Sequence, residues 1–227
     1  MKNNTNSNLV MDKIWNYVPV KTEGELFDRI VTHLLTQNEK SESQEGCRYF
    51  YLDELTDPDN PKMLQCAVGP LVNIKYYNED SDENLSIEEI QIRDLVERSN
   101  PELTFTSEIY NMLQWFQYIH DHVSTKDWYF ACYLLWRDMN FLVSYNKNLT
   151  GYLTGSNDFC SLFKKTNNEQ MKMYGIIAGL LGNVEMGKNL HQSLLEAVKN
   201  GATPREFFNE NPLYTAFLKI QKEQIYS

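Results

Sequence analysis

Positive charge is what this chain is short of. Lysine and arginine number 21 against 31 aspartates and glutamates, which gives a formal net charge of −10 and a pI near 4.9. Non-specific binding to nucleic acid or anionic membrane draws most of its affinity from cationic patches, so no direct nucleic-acid contact is expected. Long apolar runs are missing too. No segment has eighteen uninterrupted apolar residues, and the nearest, "MYGIIAGLLGNV", is too short to span a bilayer and reads as a buried helix. The polar opening "MKNNTNSNLV" lacks the apolar core of a secretory leader. A reducing cytoplasm is therefore expected, with Cys47, Cys66, Cys132 and Cys160 as free thiols. Seven prolines, ten glycines and no long repeat argue against a fibrous or mostly disordered chain. Phosphate cradles of the G-x-x-x-x-G-K-[ST] and G-x-G-x-x-G types are absent, as are H-E-x-x-H and G-x-S-x-G. No cofactor is expected.

What is present is core material. With 227 residues, 42% hydrophobic and 13% aromatic, the chain can build one large domain or two small ones. "GELFDRIVTHLLTQ" sets Leu26, Phe27, Ile30, Val31, Leu34 and Leu35 on one helical stripe. "CRYFYL" and "MLQCAVGPLVNIKYY" read as two strands of a hairpin near residues 47–72, the pairing ending near Val68 because Pro70 cannot donate. Ser86-Ile-Glu-Glu89 has the spacing of a capping box that starts a helix, which explains the acidic stretch better than a calcium loop with Glu83 at its glycine position. "SEIYNMLQWFQYIHDH" spaces Ile109, Met112, Leu113, Phe116 and Ile119 helically, and "STKDWYFACYLLWRDMNFLVSY" follows as a more buried helix. Further on, Asn200-Gly201 stops one helix and Thr203-Pro-Arg-Glu206 starts another, which restarts at Asn211-Pro212. The expected fold is mainly α with a small antiparallel β-hairpin (α+β). Residues 1–10 are expected to be disordered, 11–145 to form an α+β region, and 159–227 to form a helical region packed on it as one globular unit.

A nucleophilic site needs a thiol, a base and a group that orients the base. Cys66, His120 and Asp121 supply the types, with Ala67 and Gly69 as sources of accessible amides for an oxyanion. Against it, His120 and Asp121 are neighbours on one helix, about 100° apart around its axis, and free cysteine is commonly a core residue. A zinc site from Cys47, Cys66, His120 and His122 lacks paired-ligand spacing, since the two cysteines are nineteen apart, and no metal is expected. Ten carboxylates stand against two arginines between Glu79 and Glu108. A helix from Ser86 to Arg98 would present Glu88, Glu89, Asp94 and Glu97 as a contact surface for a basic partner.

In order, these landmarks are "FDRIVTHLLTQ", "GCRYFY", "QCAVGPLV", "LVERSNPEL" and "LQWFQYIHD". Their order over residues 23–128 resembles a family of small, functionally uncharacterised bacteriophage and prophage proteins, marked by a cysteine-aromatic strand, a C-A-[VI]-G strand and a later L-Q-x-x-H-D helix. Cys47, Tyr49, Cys66, Ala67, Gly69, His120 and Asp121 fall on those positions, with Phe116-Gln117 in the register of the L-Q pair. The chain departs from the pattern in "LDELTDPDNPK" between the strands and in the proline directly after Gly69. The resemblance implies a genetic setting and no reaction: a phage or prophage accessory protein that binds a host protein, as an inhibitor of a defence or nucleic-acid-handling factor. A cysteine-dependent hydrolase or transferase using Cys66 and His120 is the alternative. Self-association is left open.

Overall fold

A computed structural model describes residues 17–43, 46–53, 61–83, 85–136 apart from 130 and 134, and 184–210. The first helix among the described residues, α1 (Glu23–Gln37), begins at Thr22, whose side chain accepts the Glu25 amide, and ends at Asn38 in the left-handed region (φ 50°). All six residues of the expected stripe are fully buried. Around α1 the rest of the core assembles.

Four short strands follow, β1 (Glu42–Ser43), β2 (Gly46–Cys47), β3 (Phe50–Asp53) and β4 (Lys62–Gln65). They form two separate antiparallel pairs, β1 with β2 and β3 with β4, the second in the register Phe50↔Gln65 to Asp53↔Lys62. The hairpin is therefore smaller than the sequence reading. Pairing ends at Gln65, because the chain turns at Cys66 and winds into a 3-10 turn at Gly69–Leu71. Cys47 belongs to its own two-residue ladder.

Helices α2 (Glu79–Asp82), α3 (Ile90–Ser99) and α4 (Ser107–His122) come next. Helix α3 starts three residues later than the capping box predicts. Glu89 is its N-cap without a side-chain bond, while the Ser86 hydroxyl accepts the Glu88 amide and the Ser86 carbonyl accepts the Glu89 amide. Burial of Ile87 at 2% exposure holds this segment as a turn and displaces the reciprocal cap. In α4, Ile109, Met112, Leu113, Phe116 and Ile119 are all buried as their spacing requires. A 3-10 turn at Thr125–Asp127 then leads into helical residues up to 136.

Helices α5 (Val184–Lys199) and α6 (Pro204–Glu210) return to α1. Here the capping box forms: the Glu206 amide donates to Thr203 Oγ1 at 3.2 Å and the Thr203 amide donates to the Glu206 carboxylate at 2.8 Å. Gly201, at φ 95°, ends α5 as expected. Phe208 packs edge-on to Phe27 at 6.4 Å, and Leu194 and Phe208 belong to the same buried cluster as α1 and α4. The fold is mainly α with a small antiparallel hairpin. No helix among the described residues is long and apolar enough to cross a membrane. The expected disordered tail at 1–10, the junction between the expected regions 11–145 and 159–227, the buried helix read over 173–183, Cys160 and the restart at Asn211-Pro212 lie outside the described residues.

Candidate functional site: a buried thiol, imidazole and carboxylate

The end of α4 and the β1–β2 turn meet around His120, which is fully buried. Two bonds between Ser41 and Arg48 close the turn, the Arg48 amide to the Ser41 carbonyl at 2.9 Å and the Ser41 hydroxyl to the Arg48 carbonyl at 2.8 Å. So held, the Ser41 amide donates to His120 Nε2 at 3.0 Å. Nε2 is thereby an acceptor, and the ring proton sits on Nδ1, which donates to Asp121 Oδ1 at 2.8 Å. Cys47 Sγ lies 3.6 Å from the same Nδ1. Trp128 stacks on the imidazole, its indole N–H donating to the Ile119 and Val123 carbonyls.

Gln117, one turn before His120, completes the cluster. Its Nε2 donates to Cys47 Sγ at 3.3 Å and to both Asp121 carboxylate oxygens at 2.9 and 3.0 Å. Cys66 lies close enough to Cys47 to push its thiol up. The motif positions Cys47, Cys66, His120 and Asp121 thus converge, but Cys47, not Cys66, is the thiol against the imidazole. His120 and Asp121 do pair, contrary to the angular argument, because at the last turn of α4 the short Asp121 side chain turns back to the ring edge.

Proton placement decides the chemistry. Contact with Cys66 and then burial hold the Cys47 thiol well above its ordinary range, against the opposing pull of His120. Burial opposes charge on Asp121, but bonds from His120 and Gln117 prevail and hold its carboxyl below the usual range. Burial likewise opposes charge on His120, and the bonds to Asp121 and Cys47 outweigh it, raising the imidazole to about 9. A second ring proton would, however, face the Ser41 N–H at 3.0 Å. That donor-to-donor contact favours the neutral ring in this conformation. A general base would need its lone pair on the nitrogen beside the thiol, and here that nitrogen carries the proton. Gly69 offers no open oxyanion site either: its amide donates to the Cys66 carbonyl at 3.2 Å, and the residue is buried against Tyr49 and Gln65.

The nominated acidic residues sit elsewhere. Glu88, Glu89, Asp94 and Glu97 are all exposed on or just before α3. Glu88 accepts from Gln114 at 2.8 Å and Glu97 from the Tyr110 hydroxyl. Between them stands Ile90, 70% exposed and missed by the sequence reading. It was legible only as the apolar residue that falls off the buried stripe Ile92, Leu95, Val96. Asp82, Gln91, Asp94, Glu97 and Arg98 line a shallow cleft of about 500 Å³ alongside. No family model, curated protein or solved structure matches this chain.

Proposed function

We propose that the chain is a phage or prophage accessory protein that binds a host protein in the bacterial cytoplasm, as an inhibitor of a defence or nucleic-acid-handling factor. The observation that carries this reading is Ile90. A single exposed apolar residue is ordinary, but this one opens α3 beside Glu88 and Glu89, with Asp94 and Glu97 four and seven residues on along the same face. An apolar anchor with a charged rim is the arrangement that concentrates binding energy at an interface, while the rim speeds encounter with a partner of opposite charge. The resemblance supplies the phage setting, and the charge supplies the partner's basic surface. Charge reversal at Glu88, Glu89, Asp94 and Glu97 is expected to weaken capture of the partner from bacterial lysate at least about tenfold while the fold survives. Undiminished capture by that variant would remove this face from the account.

A cysteine-dependent hydrolase or transferase is the second reading, and the 3.6 Å between Cys47 Sγ and His120 Nδ1 is what favours it. The nucleophile would be Cys47 in place of Cys66. The raised thiol and the ring proton on Nδ1 both weigh against it.

A further inference from the structure

The geometry points to a divalent-metal site, zinc by its donor set, formed by Cys47 Sγ, His120 Nδ1 and a carboxylate oxygen of Asp121. These three atoms lie within 4.8 Å of one another. A tetrahedral zinc with bonds of about 2.3 Å to sulfur and about 2.0 Å to nitrogen has an S···N edge of about 3.6 Å. The Cys47–His120 separation is 3.6 Å. The N···O edge would be about 3.3 Å, so the 2.8 Å between His120 and Asp121 opens by a few tenths of an ångström once the metal replaces the hydrogen bond. Thiolate with imidazole selects zinc over magnesium or calcium.

Charge supports the assignment. A thiolate and a carboxylate cancel a divalent cation, leaving a neutral buried centre. Gln117 is placed as an outer-shell residue should be, its amide hydrogens directed at the two ligands that are anionic in the loaded site. Its Oε1 is the one buried side-chain oxygen without a partner among the described residues. The amide is thus committed to the ligands at the expense of its own carbonyl. Lys40 bonds the Asp121 carbonyl and Glu42, which leaves the carboxylate to the metal. Entry is over Asp121, whose side chain is 27% exposed, since His120 is sealed.

Loading releases the Cys47 proton to solvent and shifts the ring proton from Nδ1 to Nε2. The Ser41 N–H that faces Nε2 must then turn away, so the β1–β2 turn reports occupancy. The experiment is a titration of the whole reduced chain with cobalt(II) and zinc(II), read by absorption and by the Ser41 amide resonance. One equivalent of cobalt is expected to give a thiolate charge-transfer band with tetrahedral d–d intensity, displaced by zinc, with the Ser41 amide shifted. Cys47→Ser is expected to lose the band and Cys66→Ser to keep it, while Gln117→Leu weakens affinity about 10- to 100-fold. Absence of one-to-one binding by the unmodified chain overturns the proposal without reference to any variant. So does a band that survives Cys47→Ser, or a Ser41 amide that never moves.

Discussion

Gly69→Ala is expected to destabilise the fold sharply, for a reason that can be measured on the backbone. A Cβ at residue 69 would stand 2.6 Å from the Tyr49 carbonyl oxygen and 2.8 Å from Gln65 Cβ. Neither atom is the free end of a flexible side chain. Tyr49 is held by its amide to Glu83 at 3.1 Å and by its hydroxyl to the Leu85 carbonyl at 2.9 Å, and the Gln65 amide is held by Gln37 at 2.9 Å. Relief must therefore come from moving the 3-10 turn away from the hairpin, which opens the packing of Cys66, Ala67 and Val68, all at most 1% exposed. Overpacking of this kind costs about 1–3 kcal/mol, or roughly 2–12 °C in Tm for a chain of this size. Gly24→Ala is the control. Its Cβ first meets the Arg205 guanidinium, so both variants are made in an Asp28→Ala background, where that side-chain end is released from its 2.8 Å bond to Asp28 and can swing aside. Thermal unfolding followed by circular dichroism should thus rank Gly69→Ala well below Gly24→Ala. Equal Tm values for the two would refute the close-approach argument.

Other perturbations have outcomes of defined sign. Burial, opposed by the hydrogen bond to the Gln65 carbonyl, lowers His33 to about 4. The unfolded chain therefore binds the proton first, and stability present above about pH 6.5 is lost as pH falls towards 4, by at most about 3 kcal/mol. The stability difference between the protein and His33→Gln, read by denaturant titration, should change in that window and stay constant above it. Asp28 accepts from Arg205 Nε at 2.8 Å and from its amide at 3.1 Å. Asp28→Ala should cost about 2–3 kcal/mol and appear as faster hydrogen exchange in α6. The raised thiols of Cys47 and Cys132 predict that neither is alkylated in the folded protein at pH 7 at the rate of a free cysteine. Fast labelling of Cys47 by peptide mass spectrometry would revive the enzyme reading.

Helical periodicity was readable wherever one face alone is buried. Leu26 to Leu35 and Ile109 to Ile119 show it, because every apolar residue in those stripes faces one core. Chain-reversal chemistry was readable where nothing competes with it, as at Thr203–Glu206 and Gly201. At Ser86–Glu89 the same motif failed, since burying Ile87 outweighs a cap worth about 1 kcal/mol. The site was half legible. Gln117 and Asp121 are four apart on one helix, a spacing that announces a shared face. That Cys47 and not Cys66 stands against the imidazole was not legible: extending the β3–β4 register places Tyr49 opposite Cys66, and only the separate β1–β2 turn brings Cys47 to His120. Tertiary closure of that turn is set by Ser41 and Arg48, which no periodicity marks.

The binding claim is tested most directly by a photocrosslinking amino acid placed at residue 90, with a second at residue 18, also exposed at 66%. Illumination in bacterial lysate should join one host protein with a basic surface to position 90 and not to position 18, and raised salt should lower the yield by screening the encounter. Identical products from both positions, or none from position 90, would contradict the account.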